Sequence, residues 1–355
     1  VLLAILGELL VSTILQQLNV PAEVFPLALR YMRIYLIGMP AILLYNFESA
    51  VFRSVGETKM PLIALAFSGV LNVLLNLFFV IVCHRNVDGV AIATVISNVV
   101  SSCFLFYKLL KTDKFIHVDI KDLRIEMATF GKILKIGLPA GIQSAVFAIA
   151  NIVIQAAINS LGTIVIAASS AAFNIEIFAY YIMNSFSQAC TTFVGQNYGA
   201  GRLDRVKRSV YVCLGISCII TVGLSTILYL TGGYIYLLFT TDAEVIAIGM
   251  KILHFLVPAF VTYLCIEIYS GALRGVGDCW IPMIMTALGV CVLRVVWILI
   301  AVPIRPDILT VVFSYPLTWT ITTVLFNIYY YFFSALKKWN VPLPWKKKRR
   351  ELHNL

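Results

Sequence analysis

The sequence predicts an all-α polytopic membrane protein made of two helical lobes related by a parallel repeat. Three observations predict it. First, the 355 residues are 61% hydrophobic and only 12% charged, with a mean hydropathy of +0.93. No soluble domain hides that much apolar surface, so lipid must be part of the solvent. Second, a long offset recurs. Ala22-Glu23-Val24 returns as Ala243-Glu244-Val245, 221 positions on, and Arg53-Ser54-Val55-Gly56-Glu57 returns as Arg274-Gly275-Val276-Gly277-Asp278 at the same offset, as does Pro61 as Pro282. An offset held at both ends of a helix-sized segment marks a duplicated half. Third, the positive charge is sorted by loop.

Ten apolar segments follow one another: 1–19, 29–54, 61–83, 88–110, 131–159, 163–195, 209–231, 243–275, 280–303 and 307–335. Most can cross the ~30 Å hydrocarbon layer as helices. The alternation of a membrane barrel is absent, so helices are the reading. The second segment ends at the Arg53–Glu57 turn, where Gly56 supplies a C-terminal cap and Pro61 opens the third. The eighth ends at the Arg274–Asp278 turn, with Pro282 opening the ninth. Gly137-Leu-Pro-Ala-Gly141 opens the second lobe, and Gly195-Gln-Asn-Tyr-Gly-Ala200 closes the sixth segment. The spacings 137/141 and 195/199 are those that let membrane helices pack closely.

Moving from segment 2 to segment 8 takes six crossings, an even number, so the repeat is parallel, about an axis along the membrane normal. Segments 1–4 then match 7–10, and segments 5 and 6 have no upstream partners. This predicts a parent of twelve helices with roughly ninety further residues before Val1, by the same offset. The expected domains are an N-terminal lobe over 1–110 (helices 3–6 of the parent), a basic cytoplasmic linker over 111–130, a C-terminal lobe over 131–336 (helices 7–12) and a basic cytoplasmic tail over 337–355.

The formal charge of +10 does not indicate nucleic acid, because of where it lies. Lys108–Lys135 holds seven Lys and Arg, Arg202–Arg208 four, Lys337–Arg350 seven, residues 53–59 two, and Arg274 one more. All fall on one set of alternate loops. The other set holds only Arg85 and Arg305. This positive-inside bias puts the basic loops and the C-terminus in the cytoplasm of a multi-pass plasma-membrane protein. The tail anchors topology and is also suited to anionic lipid. Eight cysteines, scattered singly without a CxxC spacing, read as core residues.

Polar residues within the segments fall on helical faces. They are Glu176, Tyr180, Asn184 and Gln188 in segment 6; Asn151, Gln155 and Asn159 in segment 5; Tyr263, Glu267, Gly271 and Arg274 in segment 8; Ser68, Asn72 and Asn76 in segment 3; and Thr94, Ser97, Asn98 and Ser101 in segment 4. Spacings of three and four put each set on one side of its helix, which must face protein or water. For amides and hydroxyls the plain reading is hydrogen bonding between helices. The carboxylates differ. Glu48, Glu176 and Glu267 lie well inside apolar segments, where an ionised group costs at least a few kcal/mol unless paired or hydrated. Such a group exchanges protons or ligates Na⁺, so these three are candidates for ion coupling, with Na⁺ at Glu176 or Glu267. Arg294 is the one deep cation, a counter-ion for one of these acids or a structural partner.

The paired Arg53–Pro61 and Arg274–Pro282 motifs, with Gly89-Val-Ala-Ile-Ala-Thr94, Gly137–Gly141 and Gly195–Ala200, resemble the multidrug and toxic compound extrusion (MATE) family over nearly the whole chain. The resemblance implies a V-shaped pair of lobes exporting organic cations by alternating access in exchange for Na⁺ or H⁺, with no other cofactor and as a monomer. A DinF-type resemblance implies a first-lobe site that includes Asn72 and Thr94, with Asn76 where an Asp often stands. A NorM-type resemblance implies a second-lobe site with acids on helices that include those of Glu176 and Glu267, although residues 131–159 here carry no acid. Two other readings compete: a flippase of lipid-linked precursors from the same superfamily, which needs a strongly cationic chamber, and a scaffold that transports nothing. No His-Glu zinc motif, Gly-x-Ser-x-Gly or intramembrane Asp-Asp pair is present, so an intramembrane enzyme is not expected.

The charge bias predicts that residue 119 faces the cytoplasm and residue 305 faces outward. With Asp119→Cys and Arg305→Cys placed singly in a Cys-less background, an impermeant maleimide added outside should label the second and spare the first. The reverse pattern overturns the topology.

Overall fold

A computed structural model describes residues 2–17 and 21–334; the basic tail 337–355 lies outside the described residues. The chain divides into two compact units, Val1–Arg124 and Ile125–Leu355. Both are helical, without a strand among the described residues.

The first unit holds α1 (Leu2–Gln17), α2 (Phe25–Ser54), α3 (Lys59–Leu77) with a π-helical turn at Phe78–Val82, and α4 (Val87–Lys111). α4 packs on both α2 and α3. The second holds α5 (Met127–Asn159), α6 (Thr163–Gly199), α7 (Leu203–Tyr236), α8 (Ala243–Leu256), α9 (Phe260–Gly275), α10 (Trp280–Thr286), α11 (Leu293–Ile304) and α12 (Ile308–Ile328). Among the described residues nine helical stretches are long and apolar enough to span a bilayer, and α1 is a shorter apolar helix. Their bounds follow the ten apolar segments to within a few residues. Where they differ most, as in α7, the helix runs on beyond the apolar stretch.

Two predicted spans are broken in their interior, and two others, 61–83 and 307–335, end in π turns at Phe78–Val82 and Tyr329–Phe333. Pro258 sits in a 3₁₀ turn, Val257–Ala259, between α8 and α9. Residues Ala287–Val292 form a π turn between α10 and α11. Proline removes a helical donor, and π turns insert one residue into the ladder; both redirect side chains without leaving the membrane.

The repeated motif folds the same way twice. Gly56 (φ 78°) donates its N–H to Arg53 O at 2.9 Å, and Glu57 donates its own to Phe52 O at 3.0 Å. Gly277 (φ 84°) donates to Arg274 O at 3.0 Å, and Asp278 to Leu273 O at 2.9 Å. This is the Schellman closure of a helix, which needs the left-handed conformation that glycine adopts freely. Each acid is then held within its own unit. Lys114 Nζ donates to Glu57 Oε2 at 3.1 Å and holds that half-buried carboxyl below its ordinary range. Tyr329 OH donates to Asp278 Oδ2 at 2.6 Å.

α9 is the centre of the second unit. From Phe260 to Leu273 it is buried on almost every face, against α6, α7 and α12. Its contact with α6 is the tightest. A Cβ on Gly271 would stand 2.6 Å from Ser187 O, and one on Gly275 2.8 Å from Thr191 O. In exchange, Thr191 Oγ1 donates to Gly271 O at 2.9 Å and Ser187 Oγ to Glu267 O at 2.8 Å. The close packing expected from 137/141 and 195/199 is not where the sequence placed it. Gly137, Gly141 and Gly199 face open space, and Gly195 has only ordinary contact with Gly275 O at 3.4 Å. Close approach needs a facing backbone as well as a small residue.

Gly271→Ala should therefore destabilise the protein by about 1–3 kcal/mol, the usual cost of overpacking. Gly137→Ala should stay within about 0.5 kcal/mol of wild type. Thermal unfolding in detergent checks both; equal midpoints would refute the α6–α9 contact.

Candidate functional site

The second unit contains a cavity of about 530 Å³, and its walls come from α5, α6 and α9. From α5 come Gln143, Ser144, Phe147 and Asn151, from α6 Tyr180 and Asn184, and from α9 Tyr263, Glu267 and Arg274. The stripe Tyr263–Glu267–Arg274 faces the cavity because α9 rests on α6 through its glycines and turns its remaining polar side inward.

Both charges in the wall have neutral partners. Tyr263 OH donates to Glu267 Oε1 at 2.9 Å. Arg274 Nη2 donates to Ser187 Oγ at 3.0 Å. Among the described residues the ion pairs are Arg33–Glu8, Arg85–Asp88, Lys114–Glu57 and Arg202–Asp204. Glu267 and Arg274 are in none of them. Tyr180 and Tyr263, with ring centroids 6.1 Å apart, add an aromatic surface. Pockets of this kind combine a few polar groups that fix orientation with aromatic faces that supply contact area.

Glu176 lies one turn from Tyr180 on α6 but does not line this cavity. It lies within electrostatic reach of Arg294 and Tyr315, beyond the 4 Å of an ion pair. Arg294 is 3% exposed; its Nη2 donates to Thr318 Oγ1 at 3.1 Å and its guanidinium stands 3.9 Å from the Tyr315 ring centre. Tyr263 ties the two centres together, since its ring is 5.1 Å from that of Trp319, which in turn lies 5.9 Å from the Arg294 guanidinium. Among the amides, Asn151 and Asn184 reach the cavity. Gln155 donates instead to Asn159 Oδ1 at 2.8 Å, and Gln188 to Asn184 Oδ1 at 2.7 Å.

The first unit carries its own polar centres. Asn72 Nδ2 donates to Thr94 Oγ1 at 3.4 Å and Ser97 Oγ at 3.3 Å, and Asn76 Nδ2 donates to Asn72 Oδ1 at 3.0 Å. Glu48, 3% exposed, accepts from Ser102 Oγ at 3.1 Å between α2 and α4, apart from that network.

Sequence reasoning missed Gln143, Ser144 and Phe147, although Gln143, Phe147 and Asn151 continue the α5 stripe at four-residue spacing. Arg274, counted with the loop charges and also placed on the Tyr263–Glu267 face, follows that face, its guanidinium reaching Ser187 Oγ.

The comparisons with known proteins agree with this architecture. The MatE family model matches residues 1–78 and 139–300. A probable multidrug resistance protein of Bacillus subtilis, YpnP, is 27% identical over 289 residues, covering 81% of this chain and 64% of that protein. Another from the same organism, YoeA, is 24% identical and covers 98% of this chain and 75% of that one. The solved outward-facing conformation of a multidrug resistance MATE family transporter of the MOP superfamily superposes with a TM-score of 0.87 at 22% identity, over 95% of this chain and 76% of that one. The fold defines a multi-pass helical membrane protein, and the chain belongs to the MATE family. Its relatives are transporters and not enzymes. The chain spans about two thirds of the length of YpnP.

Proposed function

We propose that the protein is a cation-coupled antiporter, driven by Na⁺ or H⁺, that exports amphipathic organic cations by alternating access of its two units. The observation that carries this reading is the chamber in the second unit. It holds a carboxylate, Glu267, that is in no ion pair among the described residues, beside two tyrosine rings. Antiport needs a group whose charge or ligation changes as cargo enters, and a carboxylate does this by exchanging H⁺ or Na⁺ for the cargo cation. Glu176 is the second such group, held near Arg294. The multidrug resistance named for YpnP and YoeA supports a small-molecule cargo. A flippase would need a strongly cationic chamber, whereas Arg274 here stands beside Glu267.

Efflux of a cationic dye from loaded vesicles, with Na⁺ and pH gradients imposed separately, tests the proposal. Wild type should respond to one gradient. The double variant Glu267→Gln/Glu176→Gln should lose at least tenfold in driven efflux at unchanged expression. Undiminished efflux would move coupling to the first unit, around Asn72, Asn76, Thr94 and Glu48.

A further inference from the structure

A second cavity of about 430 Å³ lies at one end of the α11–α12 pair, away from the site described above. Its walls are Phe255, Trp297, Ala301, Leu309 and Phe313, with Arg305 at the rim. Trp297, Ala301 and Arg305 follow at four-residue spacing along α11 and its C-cap, so they line one face at successive levels. Eight residues of helix put Trp297 about 12 Å below Arg305.

Depth matters here. Arg305 directly follows the membrane-spanning stretch Trp280–Ile304, so it stands where hydrocarbon meets headgroups. The groove therefore begins with a cation at the headgroup level and descends between apolar walls into the hydrocarbon. Its shape is held by built contacts. Trp297 Nε1 donates to Thr310 O at 2.9 Å, and the Trp297 and Phe255 rings lie 5.0 and 6.0 Å from that of Phe313.

Arg305 is exposed; its backbone N–H donates to Ala301 O at 2.9 Å and its carbonyl accepts from Asp307 N at 2.9 Å, but its guanidinium is in none of the ion pairs found among the described residues, and Asp307, two positions on, is not within 4 Å of it. It is also an exception to the charge pattern, one of only two cations on the poorly charged set of loops. An exposed guanidinium without an ion-pair partner, at headgroup depth above an apolar groove, complements one class of molecule in its surroundings.

We propose that this groove is a binding site for an anionic phospholipid, with the phosphate on the Arg305 guanidinium and an acyl chain along Trp297, Ala301 and Phe313. Guanidinium matches phosphate in a bidentate manner, and the chain replaces bulk lipid against a rigid aromatic wall.

The test is native mass spectrometry of the delipidated protein in detergent, offered equimolar phosphatidylglycerol and phosphatidylcholine of identical chains. Wild type should retain one phosphatidylglycerol in about fivefold excess, the effect of one interfacial cation on anionic lipid. Arg305→Gln should bring the ratio near one, and Arg305→Lys should keep most of the excess. Ala301→Trp, which fills the groove while leaving the charge, should also remove it. Unfolding midpoints in detergent check that the variants are folded. An unchanged ratio in Arg305→Gln overturns the site. So does an unchanged ratio in Ala301→Trp, which would mean that the headgroup is held without the groove.

Discussion

At Gly271 and Gly275 there is no room for a side chain. The backbone of α6 at Ser187 and Thr191 occupies the space a Cβ would need, and the α6 hydroxyls of Ser187 and Thr191 donate to α9 carbonyls across the contact. The α9 wall of the cavity depends on this approach. It fixes the rotation of α9, which turns Tyr263, Glu267 and Arg274 toward α5 and α6. It also brings Ser187 to where it serves both the Glu267 carbonyl and the Arg274 guanidinium. In a membrane the hydrophobic effect does not hold helix against helix, so close van der Waals packing and interhelical hydrogen bonds do.

With α9 fixed, the unit separates its charges into two centres. Glu267 and Arg274 sit in the cavity with neutral hydrogen-bond partners. Glu176 and Arg294 sit deeper, near each other but unpaired, with Arg294 resting on Tyr315. Buried charges that are only half-satisfied are costly, and proteins that keep them usually use them. Tyr263 stands between the centres, bonded to Glu267 and packed on Trp319. A change of charge at Glu267 has a short physical route to the deeper pair.

Much of this was legible in the sequence, for identifiable reasons. The ten apolar segments reflect a bilayer of fixed thickness, which demands long uncharged runs. The duplicated Arg-x-Val-Gly-acid turn was readable because its chemistry is local: glycine at positive φ closes the helix, and an acid follows. Helical spacing put Tyr263, Glu267 and Arg274 on one face. Tertiary choices were not readable. Periodicity gave Glu176 and Glu267 the same standing, yet only one lines the cavity, because that depends on which neighbour each helix face meets. The glycines at 137 and 141 had the spacing for close packing but no facing backbone, whereas Gly271 and Gly275 had both. The breaks at Val257–Ala259 and Ala287–Val292 also escaped the reading; the first carried a signal in Pro258, and the second carried none.

In the mechanism we propose, Glu267 links cargo to the coupling ion. Linkage requires that cargo and ion each weaken the other's binding by the same factor. The most direct measurement is the affinity of purified protein for a cationic dye in detergent, titrated against Na⁺ at constant pH and against pH at constant Na⁺. Wild type should bind the dye more weakly as one of the two cations rises, and Glu267→Gln should bind it with an affinity independent of both. A Glu267→Gln protein whose dye affinity kept the wild-type dependence would contradict the account.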